Sequence, residues 1–87
     1  MTDGPPAMET ADPPDRPVKR SLTLQGHRTS VSLEAAFWEA FRRIAAEEGR
    51  SINALAAEID AARTPPGSLA SAIRVYVLRA TERRGRP

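Results

Sequence analysis

The sequence predicts a mainly α-helical domain that begins with a short β-ribbon and ends with an additional helix. Between residues 18 and 33 apolar residues alternate with polar ones, which is typical of half-buried strands. From residue 37 to residue 80 they recur at every third or fourth position, which is typical of amphipathic helices. Gly and Pro residues interrupt these segments where turns are expected. We therefore expect one domain at residues 18–80.

The flanking segments, residues 1–17 and 81–87, are expected to be disordered. The first of them contains five of the eight Pro residues and almost no bulky apolar side chain, so it cannot bury enough surface to offset its ordering entropy. Residues 1–15 carry four acidic side chains and no basic one, whereas all 13 Lys and Arg residues follow them. An acidic leader thus precedes a basic body with a basic tail, and a basic body favours a polyanionic partner.

Composition excludes several classes of protein. The chain of 87 residues has no Cys and a single His, so we expect neither a disulfide nor a metal site. It has no recognisable nucleophile, base or phosphate loop, so we expect no cofactor and no catalysis. No apolar run approaches the roughly 18 residues of a membrane span, and no secretory signal is visible, so a cytoplasmic location is expected. Oligomerisation is the remaining way to enlarge a small core.

Two short strands are predicted first, RSLTLQ at residues 20–25 and RTSVSL at residues 28–33. In the second strand Val31 and Leu33 lie on one face, and the polar residues lie on the other. Gly26 and His27 separate the two segments. The strands could form a hairpin, or each could pair with another chain, and the pattern does not decide between these arrangements.

Two helices follow. Ser32 is predicted to cap the first helix, whose apolar stripe begins at Phe37 and Phe41, and Gly49 is placed where a left-handed residue would end it. Ser51 is predicted to cap the second helix.

The break at Pro65, Pro66 and Gly67 ends the second helix, and Ser68 is predicted to cap a third segment at residues 68–80. The β-branched residues within this segment leave a strand possible, but its alanines and its cap favour a helix. Arg74 is expected to pair with Glu58 or Asp60.

The order of strand, helix, Gly-containing turn and helix carries a resemblance. The segment from Arg28 to Ile59, with EEGRSINALAAEI at its centre, resembles the ribbon-helix-helix family of bacterial repressors, the Arc and MetJ superfamily. The wider frame, KRSLTLQGHRTSVSLEAAFWEAF through SLASAIRVYVL, is similar to a bacterial subfamily described only as ribbon-helix-helix proteins.

The resemblance implies a homodimer in which strands of two chains pair into a ribbon that enters the major groove of double-stranded DNA. Outward residues of the ribbon would contact bases, and they would be Arg28, Ser30 and Ser32. The start of the second helix would contact phosphate through Arg50, Ser51, Ile52 and Asn53, since the helix dipole favours an anion there. The apolar residues would form a dimer core, namely Val31, Leu33, Phe37, Phe41, Ile44, Leu55 and Ile59.

Two alternatives stay open. The earlier strand could be the ribbon instead, and it would present Lys19, Ser21, Thr23 and Gln25. The favoured function is a dimeric DNA-binding transcriptional regulator. The alternative is a protein-interaction module, antitoxin-like or scaffolding, that kept the fold with weak or no specific DNA binding and engages a protein partner through residues 68–80.

Overall fold

A computed structural model describes residues 13–85. It confirms a mainly helical fold that begins with a two-stranded ribbon and ends with an additional helix. The elements are β1 (Pro17–Leu24), β2 (His27–Glu34), α1 (Ala35–Glu47), α2 (Ile52–Ala62) and α3 (Leu69–Arg84). Within the described residues no helix has the length and apolar character needed to cross a bilayer. Most of the predicted leader, residues 1–12, and the last two residues lie outside this range.

β1 and β2 form an antiparallel hairpin within one chain. Their register runs from the pair Pro17 and Glu34 to the pair Leu24 and His27. The two turn residues, Gln25 and Gly26, have φ angles of 52° and 87°. Positive φ at both positions is what a two-residue type I′ hairpin turn requires, because its twist matches that of the strands. A two-stranded ribbon is therefore present within one chain, and the pairing of strands between two chains that the resemblance implied stays a prediction.

The hairpin has one buried face and one exposed face. Because opposite residues of paired strands project to the same side, the register places the apolar residues of both strands together. This inner face packs on the three helices, and it joins their apolar stripes in a single core. The buried core residues are Leu22, Leu24, Val31, Leu33, Ala35, Trp38, Phe41, Ile44, Ala45, Leu55, Ala56, Ile59, Ile73, Val77 and Ala80.

The prediction that Ser32 caps the first helix is wrong. β2 continues through Ser32 to Glu34, which holds the cap position of α1 without a side-chain cap bond. Two interactions extend the strand: Leu33 is completely buried, and Glu34 still faces Pro17 across the hairpin. Because Ser32 stays in the strand, its side chain is exposed on the outer face of the hairpin rather than at a helix end.

The other helix boundaries agree more closely with those predicted from the sequence. Gly49 has a φ of 69° just after α1, as expected for a left-handed terminating residue. The hydroxyls of Ser51 and Ser68 each accept a hydrogen bond of 3.0 Å from the backbone N–H three residues later, which confirms both caps. The third segment is a helix, and it runs to Arg84, past the expected end at residue 80.

Polar contacts join the helices α1 and α3 to the hairpin. Arg74 of α3 pairs with Glu34 at 2.9 Å, so its predicted pairing with Glu58 or Asp60 is wrong. The pKa of Glu34 is lowered, chiefly by this hydrogen bond from Arg74. The Trp38 indole, only 2% exposed, donates a 2.8 Å hydrogen bond to the Val18 carbonyl and thereby fastens α1 to β1.

Candidate nucleic-acid interface

The outer face of the hairpin carries polar side chains from both strands. Three opposing pairs lie in a row, and all six of these residues are exposed. The pairs are Lys19 with Ser32, Ser21 with Ser30, and Thr23 with Arg28. The two ribbons that the sequence offered as alternatives are thus the two halves of one surface. We call these six residues the hairpin face.

The hairpin face is positively charged and mostly short-chained. Its two cations, Lys19 and Arg28, lie on different strands near opposite ends of the row. Strand residues rise about 3.3 Å each, so the two positions are roughly 13 Å apart along the strands. The four hydroxyl side chains between them project little, and none of the six residues is acidic. Such a surface can approach a polyanion closely.

The beginning of α2 lies beside this face. The backbone N–H of Thr23 donates a 3.2 Å hydrogen bond to Asn53 Oδ1, which joins the outer edge of β1 to the first turn of α2. The neighbouring residues at this end are the cap residue Ser51, which is exposed, and Ile52, which is half-buried. The hairpin face and the start of α2 are therefore held in a fixed relation.

Backbone donors are available at the start of α2. Within residues 13–85 the N–H groups of Ile52 and Asn53 have no hydrogen-bond partner, as is normal for a first helical turn. The Ser51 hydroxyl accepts from the Ala54 N–H, which leaves these other two N–H groups free for a ligand. Together with the helix dipole, free N–H groups at this end favour a bound anion.

Arg50 does not point freely into solvent. Its guanidinium pairs with Glu58, lies 3.8 Å from a Glu48 oxygen, and donates a 3.4 Å hydrogen bond to the Ala54 carbonyl. Glu48 also accepts a 2.6 Å hydrogen bond from the Tyr76 hydroxyl. Burial, and then the Glu48 hydrogen bond, raise the pKa of Tyr76. In this arrangement two carboxylates already compensate the charge of Arg50.

The residues predicted to form a dimer core lie within one chain. Six of them are buried, and Phe37 is half-buried beneath the Arg74 guanidinium, whose central carbon is 6.0 Å from the ring centre. A role for them between chains stays a prediction. His27, the first residue of β2, is exposed.

The sequence analysis did not predict which residues lie together in the site. It did not combine Lys19 and Thr23 with Arg28, and it did not anticipate the bond between Thr23 and Asn53. One signal could have revealed the combination. Two alternating segments separated by a short break that contains Gly26 suit a two-residue hairpin, and such a turn fixes every opposing pair.

Comparison with known proteins supports this architecture. A family model described as the ribbon-helix-helix domain matches residues 17–81, from the first residue of β1 into the last turns of α3. No curated protein and no solved structure matches the chain. The match covers most of the chain and every element of the fold, so the chain belongs to the ribbon-helix-helix domain family.

Proposed function

We propose that this protein binds double-stranded DNA through the hairpin face and acts as a small transcriptional regulator. The observation that carries the proposal is the row of six exposed polar side chains, two of them cationic, beside the free N–H groups at the start of α2. Membership of the ribbon-helix-helix family supports it, because this is a DNA-binding type of fold. The basic body of the chain, residues 16–87, suits a polyanionic ligand.

The dimensions of the hairpin favour the major groove. That groove is about 12 Å wide and admits a two-stranded β-ribbon. Arg28 can donate two hydrogen bonds to guanine O6 and N7, a contact that discriminates by about 1–3 kcal/mol. Ser30, Ser32 and the hydroxyls of β1 are shorter and accept several base edges. We therefore expect base selection to be concentrated at the position that Arg28 contacts.

Phosphate binding is assigned to the backbone at the start of α2. The N–H groups of Ile52 and Asn53, with the nearby Ser51 hydroxyl, can contact one phosphate while the hairpin lies in the groove. Arg50 is a weaker candidate, because a phosphate would have to displace Glu58 from its guanidinium. Contacts of this type orient the protein without reading the sequence.

A second function has its own supporting observation. Val75 and Leu78 on α3 are 49% and 55% exposed, although both are large and apolar. They lie within residues 68–80, the segment proposed to engage a protein partner. An interaction module that retained the fold, with weak or no specific DNA binding, is therefore the alternative. In either case we propose a cytoplasmic protein that works as a homodimer.

The test measures the affinity of the protein for a pool of fluorescent DNA duplexes of random sequence. Fluorescence anisotropy reports the binding at a series of salt concentrations. The wild type, Lys19→Ala and Arg28→Ala are compared with Arg43→Ala, which removes the same charge from an exposed position on α1. Each phosphate contact contributes a slope of about −0.9 in log K against log salt. We expect weaker binding, roughly tenfold, for the two hairpin variants and little change for Arg43→Ala.

Sequencing the bound duplexes refines the test. Arg28→Ala should lose a guanine preference that the wild type shows, whereas Lys19→Ala should bind all sequences more weakly. Absence of binding at about 50 mM salt by folded protein would exclude the DNA-binding role, since electrostatic affinity is greatest at low salt. Equal losses in all three variants would show that net charge, not the hairpin face, determines binding.

A further inference from the structure

Two carboxylates hold the side chain of Arg50, the residue just before the cap of α2. Its guanidinium pairs with Glu58, lies 3.8 Å from a Glu48 oxygen and donates a 3.4 Å hydrogen bond to the Ala54 carbonyl. Its contacts at Ala54 and Glu58 are made roughly one and two turns into the sequence that follows it. The side chain therefore lies along α2, past its first turn, and extends away from the free N–H groups at its start.

The two carboxylates are held differently. Glu48 is the residue that ends α1, and its side chain accepts a 2.6 Å hydrogen bond from the Tyr76 hydroxyl. The Glu58 side chain is 64% exposed, and within residues 13–85 its salt-bridge partner is Arg50 alone. Glu58 is therefore the carboxylate that can move, whereas Glu48 is fixed by a second contact.

A second cation is available to Glu58. Both Glu58 and Arg79 line a groove of about 450 Å³ between α2 and α3, and the apolar residues Ile59 and Val75 line it with them. Within the part of the chain that the structure describes, Arg79 has no salt-bridge partner. The groove thus brings a movable carboxylate and an unpaired cation from the neighbouring helix to one surface.

We propose that Glu48 and Glu58 form an autoinhibitory clamp on Arg50, and that bound DNA opens it. In the free protein the clamp keeps the guanidinium away from the start of α2. When a DNA phosphate lies at that helix end, Arg50 turns to it and Glu58 changes its partner to Arg79. The clamp rests on the DNA-binding function proposed above, because the phosphate belongs to the bound duplex.

This exchange needs no rearrangement of the core. Exposed ion pairs are weak, because water and salt screen both charges. A phosphate can accept two charge-assisted hydrogen bonds from Arg50, and the positive end of α2 attracts the same phosphate. Pairing with Arg79 then compensates the charge of Glu58. Opening the clamp still costs part of the binding free energy, so the clamp lowers the affinity for all sequences alike, since phosphate contacts do not read bases.

The test compares the affinities of the wild type, Glu58→Gln and Glu82→Gln for the random duplex pool at about 150 mM salt. Glu82→Gln is the matched control, because it removes the same charge from an exposed position on α3. We expect Glu58→Gln to bind about threefold to fivefold more tightly than the wild type. Glu82→Gln should change the affinity by less than about twofold, since charges more than roughly 8 Å apart are largely screened. Equal affinities of the wild type and Glu58→Gln, or the same gain in both variants, would overturn the clamp.

Combined substitutions identify the two partners of Glu58. In an Arg50→Ala background Glu58→Gln should give no gain in affinity, because no guanidinium is left to release. Arg79→Gln should weaken binding by about twofold to threefold when Glu58 is present and should have no effect when it is Gln. A gain that persists without Arg50 would mean that Glu58 merely repels DNA, which contradicts the clamp. An equal effect of Arg79→Gln in both backgrounds would contradict the exchange of partners.

Failure of the clamp and failure of DNA binding give different results. If the wild type binds the duplexes and Glu58→Gln binds them equally well, the clamp alone is wrong. If both are folded by circular dichroism and neither binds at about 50 mM salt, the DNA-binding function is wrong as well. Binding by Glu58→Gln but not by the wild type would support both.

Discussion

The hairpin face and the groove between α2 and α3 are two surfaces of one small core with opposite chemistry. The hairpin face has six polar residues and no large apolar one. The groove is lined by apolar residues such as Ile59 and Val75 and also by the charged residues Glu58, Arg63 and Arg79, and the exposed Leu78 lies on the same helix as Val75. The core beneath both surfaces is continuous. The two surfaces of this short chain therefore differ in the groups that they expose: hydroxyls and cations on the hairpin face, and large apolar side chains on α3.

The two regions are also fastened differently. The hairpin is held to the helices by buried side chains and by two hydrogen bonds, from the Trp38 indole to Val18 and from the Thr23 amide to Asn53. The region around α3 is held by the buried side chains of Ile73, Val77 and Ala80, and its outer contacts to α1 are exposed, among them the pair between Arg84 and Glu47 at 2.7 Å. Exposed ion pairs contribute little, with a median of about 0–1 kcal/mol. Substitutions of buried core residues should therefore lower the free energy of unfolding more than substitutions in these exposed ion pairs.

The largest effect is expected for Trp38→Ala. Removing a buried indole leaves a cavity and eliminates the hydrogen bond to Val18, so the free energy of unfolding should fall by about 3–5 kcal/mol. Urea denaturation followed by circular dichroism measures it. Trp38→Phe, which keeps an aromatic ring, should cost clearly less. A loss below about 1 kcal/mol for Trp38→Ala would show that the indole is not a principal support of the hairpin.

A pair of cap variants separates the two regions. Ser51→Ala and Ser68→Ala each remove one cap hydrogen bond and should each lower the free energy of unfolding by about 1 kcal/mol. Only Ser51 lies beside the hairpin face, so only Ser51→Ala should also weaken DNA binding under conditions where both variants are folded. Denaturation and anisotropy on the same samples measure both effects. Equal DNA affinities for the two variants would remove the start of α2 from the proposed interface.

The smallest effect concerns the protonation of Tyr76. This is the single Tyr of the chain, so ultraviolet absorbance follows its ionisation without interference. Burial and the Glu48 carboxylate raise its pKa, and the titration midpoint should lie above 10.0. Since the folded pKa is the higher one, the resulting stabilisation is present below pH 10.0 and is lost as the pH rises through the folded pKa.

Glu48→Gln is the control for this titration. Removing the carboxylate should lower the Tyr76 midpoint relative to the wild type, whereas burial still acts on the phenol. An unchanged midpoint would mean that Glu48 is not its partner in solution.

Much of the local structure could be predicted because it depends on neighbouring residues. Ser51 and Ser68 cap helices through bonds to residues three positions away, and Gly49 ends α1 through its own backbone preference. The order of strands and helices follows from periodicity for the same reason. These features are encoded within a few residues of where they occur.

What depends on tertiary pairing could not be predicted in this way. Ser32 has the side chain of a cap residue, but the pairing of β2 with β1 keeps it in the strand. Arg74 reaches Glu34, which is forty positions away in the sequence. Gln25 gives little indication of a hairpin turn, because a non-Gly residue at positive φ is uncommon. The hairpin face depends on that turn. The sequence therefore predicted its two strands as alternative ribbons and not as one surface.

The hairpin within one chain also has a consequence for symmetry. A ribbon made by two identical antiparallel strands from two subunits has two-fold rotational symmetry, and it suits a palindromic operator centre. Here the strands differ: one presents Lys19, Ser21 and Thr23, and the other presents Arg28, Ser30 and Ser32. Under the proposed function, the base sequence that this hairpin contacts need not be palindromic. In a dimer, any repetition in the operator would lie in the spacing and orientation of two such sequences rather than within either one.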